Sequence, residues 1–334
     1  MTERSSRRGR PTGPGLDGIL VVAKPPGPTS HDVVALVRRL AATKRVGHGG
    51  TLDPFASGVL PVFLGRATRV VEYHLGDRKE YRATVCFGAT STTDDLEGTL
   101  EPVAGPPVTP EAVEAALPAF RGRITQTPPV YSAVKIGGRR AYALARAGQA
   151  VELSPREVEI ERIAVVEWDG SDPDRPVAIV DVVCSAGTYI RALARDLGVA
   201  VGSGAYLGGL TRTASGPFRL VGAVALGDVR SAAAEGPDRL AALLRPIDAG
   251  LEDLPAIVLP ESDVPAIARG QIVRAPAGVR ELGADRPIRM FDRDGSLVGF
   301  ATVRDGRLAP DKVLIAPPPQ GPEAEPEPAT AGDD

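Results

Sequence analysis

Asp53 is the residue around which chemistry can be built. It stands in Gly47-His48-Gly49-Gly50-Thr51-Leu52-Asp53-Pro54, followed by Gly58-Val59-Leu60-Pro61. The glycines let backbone approach a ligand closely. A residue before proline is held extended rather than helical, so the carboxylate can project into a cleft. There it can act as nucleophile or general base, or stabilise an electron-poor carbon. The same residue can equally close an Asx-turn or cap a helix. A second chemical cluster is cationic: Lys135, Arg139, Arg140 and Arg146, with Tyr131 and Tyr142 interleaved. Cations suit phosphates and aromatics suit bases or sugars, although such a run can also be a plain solvated face. Metal chemistry has little to work with. His31, His48 and His74 show no zinc spacing, and Cys86 and Cys184 stand alone in apolar runs as buried reduced thiols.

Positioning elements follow from the pattern around these residues. Ile19-Leu20-Val21-Val22 reads as a buried strand ended by Lys24-Pro25-Pro26-Gly27-Pro28. Thr29-Ser30 then caps a helix over 31–42, with Val33, Val34, Leu36, Val37 and Leu40 as its apolar face. Residues 43–58 read as a loop. Residues 79–88 alternate like a strand, with Tyr81, Ala83, Val85 and Phe87 on one side. A helix over 111–120 follows the Thr109-Pro110 cap, and 121–150 read as basic and loop-like. Strands are expected over 158–168, 177–184 and 207–213, and a helix over 189–197. After a boundary at 246–260 come a helix over 261–269 and strands over 271–275, 287–291, 297–303 and 313–315. Asp294-Gly295 and Asp305-Gly306 are hairpin turns there.

Composition is globular, with 43% apolar and 24% charged residues. Net charge is −3, but its distribution is uneven. The last eighteen residues carry five acids and no base, and the first ten carry a net charge of +3. Whole-chain charge therefore neither supports nor excludes a nucleic-acid partner, and any basic surface must be local. No apolar run is long enough to cross a bilayer, and the Arg-rich N-terminus lacks the apolar stretch of a secretory signal. A cytoplasmic protein is expected.

Read whole, the Asp53 segment resembles the catalytic signature of bacterial tRNA pseudouridine synthase B. The likeness continues in order along roughly residues 18–220. Lys24-Pro25-Pro26-Gly27-Pro28-Thr29-Ser30 resembles the first motif of that family, and Lys79-Glu80-Tyr81 its tyrosine strand. Pro128-Pro129-Val130-Tyr131-Ser132-Ala133-Val134-Lys135, with Gly138-Arg139-Arg140-Ala141-Tyr142, resembles its RNA-clamping insertion. Cys184-Ser185-Ala186-Gly187-Thr188-Tyr189-Ile190-Arg191 with Asp196-Leu197-Gly198 resembles its third motif. Leu210-Thr211-Arg212-Thr213-Ala214-Ser215-Gly216-Pro217-Phe218 resembles the segment after it.

The resemblance implies an α+β pseudouridine synthase fold: a mixed, largely antiparallel central sheet flanked by helices, plus a small C-terminal PUA-like β domain. It implies a catalytic domain over 16–250 with an RNA-binding insertion at about 121–150 and the PUA-like domain over 251–316, while composition alone marks 1–15 as a disordered basic tail and 317–334 as a disordered acidic Pro-rich tail. The implied reaction converts uridine 55 in the TΨC loop of tRNA to pseudouridine by glycosidic cleavage, base rotation and C–C rejoining. It has no redox step or phosphate donor, so no metal or organic cofactor is expected. By resemblance Asp53 is the catalytic carboxylate and Arg191 the cation that keeps it ionised. Tyr81 stacks on the target uracil, Tyr189 lines the pocket and Leu210 forms its wall. His48 fills the space of the flipped base. Lys24 supports the loop or contacts RNA. Lys135, Arg139, Arg140, Tyr142 and Arg146 contact RNA. The T-arm of tRNA is the expected partner, with no membrane and no obligatory protein partner, and a monomer is expected. The rival reading is a non-catalytic RNA-binding protein that helps tRNA fold. A guide-RNA-dependent synthase is disfavoured by the bacterial-type insertion.

Overall fold

The computed structural model describes residues 15–132, 134–149, 151–279, 282 and 286–317, and leaves aside the side chains of Lys135, Arg140, Ala143 and Arg146. Most of the two expected tails, over 1–15 and 317–334, lies outside the described residues. Two compact units meet in sequence at Gly250 and Leu251.

The first unit runs β1 (Gly18–Lys24), α1 (Ser30–Leu40), β2 (Val46–His48), β3 (Ser57–Leu64), α2 (Val71–Leu75), β4 (Lys79–Phe87), β5 (Ala89–Ser91), β6 (Leu100–Pro102) and α3 (Pro110–Ala116). It continues with β7 (Gly122–Gln126), β8 (Lys135–Ile136), β9 (Arg139–Arg140), α4 (Ala141–Arg146), β10 (Arg156–Asp169), β11 (Val177–Cys184), α5 (Ile190–Ala200) and β12 (Ala205–Ser215). β13 (Phe218–Arg219), β14 (Val224–Ala225), α6 (Leu226–Glu235) and α7 (Pro237–Ala241) complete it. The main sheet has the order β14-β1-β3-β12-β4-β11-β10-β7, with β2 on β3 and β13 on β12. Only β1–β14 and β3–β12 pair in parallel, so the sheet is mixed and largely antiparallel, as expected.

Two apolar clusters flank the β3–β12 seam. One joins β1, β3 and α1 through Leu20, Val22, Val33, Val37 and Leu60. The other joins β4, β11 and α5 through Ala83, Val85, Val180, Leu193 and Leu197. Each fully buried Val or Leu contributes roughly 1.5–3 kcal/mol. α1 starts as the pattern predicts: Thr29 caps it in a reciprocal pair with Asp32, and Val33, Val34, Leu36 and Val37 are buried. Thr109 likewise caps α3.

Several local expectations are corrected. The 43–58 loop contains β2, which pairs with β3. Residues 121–150 hold β7, the β8–β9 hairpin and α4 rather than plain loop. α5 runs past Gly198 to Ala200, and that glycine serves close packing instead of ending the helix: a Cβ there would fall 2.3 Å from Ala205 N. Cys184 is buried, but Cys86 is only half-buried.

The second unit contains β15 (Ala256–Val258), α8 (Val264–Ala268), β16 (Val273–Arg274), β17 (Ile288–Phe291), β18 (Leu297–Arg304) and β19 (Arg307–Val313). Its sheet has the order β15-β17-β18-β19-β16 around Ile267, Ile288, Met290, Val298 and Leu308. The last strand was expected over 313–315. It begins at Arg307, because Asp305 and Gly306 both take positive φ and close a two-residue hairpin pairing Arg304 with Arg307.

Candidate active site

The Asp53 loop joins β2 to its ladder partner β3. Three side chains grip its backbone on both sides of Asp53. Ser30, at the start of α1, accepts from Leu52 N–H at 2.8 Å and donates to Leu52 O at 3.1 Å. Lys24, at the end of β1, donates to Pro25 O at 3.0 Å, Pro54 O at 3.1 Å and Ala56 O at 2.6 Å. Arg212 on β12 donates to Gly50 O at 3.1 Å, Thr51 O at 3.3 Å and Val59 O at 2.8 Å. Lys24 and Arg212 are each 1% exposed. Carbonyl oxygens replace the water these cations lost on burial. Burial still pulls the Lys24 ammonium down to about 8, against the nearby Asp53 charge. Lys24 is buried, and its carbonyl bonds are the arrangement that the loop-supporting role calls for. Gly58 is required at the turn into β3: it has φ +111, and a Cβ there would fall 2.2 Å from Arg212 O.

Arg191, at the first turn of α5, meets the loop from the other cluster. Its Nε lies 3.0 Å from Asp53 Oδ2, and its Nη2 donates to Asp53 Oδ1 at 3.4 Å. Its Nη1 reaches Asp95 Oδ2 and Thr93 O at 3.1 Å each, and Nη2 also donates to Tyr131 O at 2.9 Å. The Nε–H points off the Oδ2 direction and is not a formed hydrogen bond. Asp53 therefore keeps acceptor capacity and stays 34% exposed, while Arg191 and Asp95 are 6% and 4% exposed. Desolvation pushes the Asp53 carboxyl above the ordinary aspartate value, and Asp95 pushes the same way, against Arg191 and Lys24. By the resemblance, Arg191 favours the ionised form. It does, but burial outweighs it.

The aromatic and apolar residues line the adjoining sheet. Tyr81 on β4 pairs across the ladder with Arg212, and Ala83 pairs with Leu210. Tyr81 and Leu210 are therefore on one face, both half-buried against the α5 cluster. Burial raises the Tyr81 phenol, with Arg212 opposing as a charge and hydrogen-bond partner. Tyr189 is the N-cap residue of α5, two positions before Arg191. His48 is half-buried at the start of the loop. Its Nδ1 accepts from Gly50 N–H at 3.3 Å, and its ring meets His31 edge-on at 5.4 Å. Burial and His31 both lower its pKa, which favours neutral imidazole.

The structure thus brings Asp53, Arg191 and Lys24 together, with Tyr81 and Leu210 on one sheet face beside Arg212. In the insertion, exposed Arg139 on β9 donates to Gln149 at 3.4 Å, and Tyr142 N–H on α4 donates to Ser132 O at 3.1 Å. Lys135, Arg140 and Arg146 belong to β8, β9 and α4, but their side chains lie outside the described residues.

Sequence reasoning missed the roles of Ser30, Asp95 and Arg212. Arg212 carried a signal: a lone arginine in a buried strand pattern needs acceptors. Asp95 carried almost none, since it is one acid in a polar turn. No group of His, Cys, Asp or Glu suited to holding a metal occurs among the described residues. No helix among them is long and apolar enough to cross a membrane.

Comparison with known proteins fits this geometry. Residues 38–190 match the TruB family pseudouridylate synthase N-terminal domain, and residues 191–252 match the tRNA pseudouridylate synthase B C-terminal domain. The border between these matches falls at the start of α5, inside the first unit. The tRNA pseudouridine synthase B of Stutzerimonas stutzeri is 42% identical, over 90% of this chain and 96% of that one. That of Bradyrhizobium diazoefficiens is 41% identical, over 90% and 86%. A solved Cbf5-Nop10-Gar1 complex includes a chain 27% identical with a TM-score of 0.67, over 90% of this chain and 86% of that one. An archaeal box H/ACA sRNP Nop10-Cbf5 complex includes one 26% identical with a TM-score of 0.65, over 94% and 93%. The chain belongs to the tRNA pseudouridine synthase B family of isomerases.

Proposed function

We propose that the chain converts the T-loop uridine of tRNA to pseudouridine with Asp53 as its reacting carboxylate. The observation that carries this is the state of Asp53: part-exposed, held by Arg191, on a loop gripped on both sides by buried cations. In the reaction the C1′–N1 bond breaks, the uracil turns, C5 bonds to C1′, the C5 proton leaves and N1 takes up a proton, so the product is an isomer of the substrate. Asp53 serves as nucleophile or general base, after the uridine has left its stack. Tyr81 supports the flipped uracil, Tyr189 and Leu210 bound its pocket, and His48 occupies the vacated space in the RNA loop. Arg191 orients the carboxylate and favours its charged form.

Lys135, Arg139, Arg140, Tyr142 and Arg146 hold the RNA backbone and loop. The second unit is a PUA-like module that docks the rest of the tRNA. The enzyme acts as a cytoplasmic monomer without a protein partner.

The test is tritium release from tRNA transcripts carrying 5-tritiated uridine. Release by the wild type, absent with Asp53→Asn and absent when the T-loop uridine is replaced by cytidine, is expected. Turnover by Asp53→Asn would sink the assignment of Asp53. A wild type that binds tRNA without releasing tritium would favour a tRNA-folding protein.

A further inference from the structure

The turn that leads into α5 is clamped by two side chains from neighbouring strands. Gln126 ends β7, Arg156 begins β10, and the two residues are direct partners across that ladder. Gln126 is 1% exposed. Its Nε2 donates to Tyr189 O at 3.0 Å, and its Oε1 accepts from Tyr189 N–H at 2.8 Å. Only one orientation of the amide satisfies both bonds, so the assignment of its oxygen and nitrogen is fixed by the backbone. Tyr189 O also accepts the first helical bond of α5, from Leu193 N–H at 3.1 Å, which fills both of its lone pairs. Tyr189 makes no side-chain cap of its own, so the amide of Gln126 anchors this helix start. Arg156 secures the ring and also holds the backbone just before it. Its guanidinium lies 4.4 Å from the Tyr189 ring centre, and its Nη2 donates to Gly187 O.

We propose that Gln126 and Arg156 are positioning residues for the isomerisation. Gln126 fixes the peptide from which α5 grows, and Arg156 fixes the Tyr189 ring. Arg191 follows two residues further on, so the same clamp sets where the guanidinium meets Asp53. This inference rests on the proposal that uridine reacts beside Asp53. It assigns to β7 and β10, on the far side of the sheet from the Asp53 loop, a part in the geometry of the reaction.

The test separates rate from affinity. Gln126→Glu keeps shape and the acceptor for Tyr189 N–H, but sets an oxygen against Tyr189 O. Arg156→Met keeps the stem and removes the cation, and Arg156→Lys returns a cation. Single-turnover tritium release at saturating enzyme is expected to fall about tenfold or more for the first two, the scale of effect that small misplacements produce. The tRNA Kd stays within about twofold, and Arg156→Lys recovers part of the loss. A readout independent of activity is the 19F spectrum of protein labelled with 3-fluorotyrosine, in which Tyr189→Phe identifies one signal of six tyrosines. Arg156→Met should shift that signal, and Arg156→Lys should move it partly back. Unchanged rates, losses confined to Kd, or an unmoved signal would overturn the inference. Inactivity of the wild type itself would instead strike the proposed reaction.

Discussion

Two segments of this chain carry its polar motifs, and they are built in opposite ways. The Asp53 loop is enclosed: Ser30, Lys24 and Arg212 bond to Gly50, Thr51, Leu52, Pro54 and Ala56, and two of those three side chains are fully buried cations. The expected insertion, at about 121–150, is tied to α5 through its backbone. Arg195 on α5 donates to Thr127 O at 2.9 Å and Arg191 donates to Tyr131 O, and beyond that point short local elements present Arg139 to solvent. The contrast suits the roles proposed for the two segments. A reacting carboxylate loses rate for every fraction of an ångström it strays, whereas cations on RNA phosphates act over longer distances and tolerate adjustment. Variants in the first segment should therefore change rate, and variants in the second should change affinity and its salt dependence.

The strongest break is Asp53→Asn. The amide keeps size and removes both charge and basicity, so single-turnover tritium release should fall by about 10^3-fold or more. Affinity for tRNA, measured by filter binding, should change little. Arg191→Lys comes next. An ammonium keeps the charge but cannot serve Asp53, Asp95, Thr93 O and Tyr131 O together. A rate loss of about 10^2-fold is expected from the misplaced carboxylate.

The pH profile sharpens the same assignment. The Asp53 pKa is raised mainly by desolvation, so the reactive ionised form is lost on acidification at a higher pH than an ordinary aspartate would show. The acid limb of the single-turnover rate should lie above the usual carboxylate range. Weakening the Arg191 contact removes a stabiliser of the charged form, so Arg191→Lys should move that limb further up. A limb in the ordinary aspartate range in both proteins would detach the profile from Asp53.

Arg212→Met asks whether the grip matters as much as the group it holds. Three carbonyls lose their donor, of which Val59 O is the buried one, for a stability loss of about 2–3 kcal/mol. For a domain of this size that is a fall in Tm of roughly 5–10 °C. The rate should fall too, although Arg212 makes no direct contact with Asp53 among the described hydrogen bonds. Lost stability with a full rate in the surviving folded protein would show the loop to be held well enough by Ser30 and Lys24.

Much of this was legible in the sequence where one side chain decides one element. Thr29 and Thr109 mark helix starts, and alternation from Tyr81 to Phe87 marks a strand, because capping and pleating are local. Asp53 and Arg191 were found through motifs, and the structure places them 3.0 Å apart across 138 residues of sequence. What escaped was reciprocity. Nothing near Arg212 in sequence says that its acceptors lie at Gly50, Thr51 and Val59, and nothing near Asp95 names Arg191. The short strands β2, β8 and β9 escaped for a related reason. Two or three residues have no periodicity to read, and they exist only because a partner strand completes them. The sign of the Asp53 shift was likewise out of reach, since it depends on how much water the surrounding fold removes.

The smallest expected effect falls on the insertion, and it is the one that tests the contrast itself. Arg139 is exposed on β9 and touches Gln149 at 3.4 Å, so Arg139→Gln should leave Tm unchanged. If Arg139 neutralises one phosphate, its loss removes one released counterion. The slope of log Kd against log salt should then flatten by about 0.7–0.9, with affinity a few-fold weaker at moderate salt. At saturating enzyme the single-turnover rate should stay at the wild-type value, because the residue holds the substrate without holding Asp53. A lower saturated rate with an unchanged salt slope would mean that the insertion shapes the pocket as tightly as the Asp53 loop does. The division between an enclosed reacting loop and an adaptable RNA clamp would then fail.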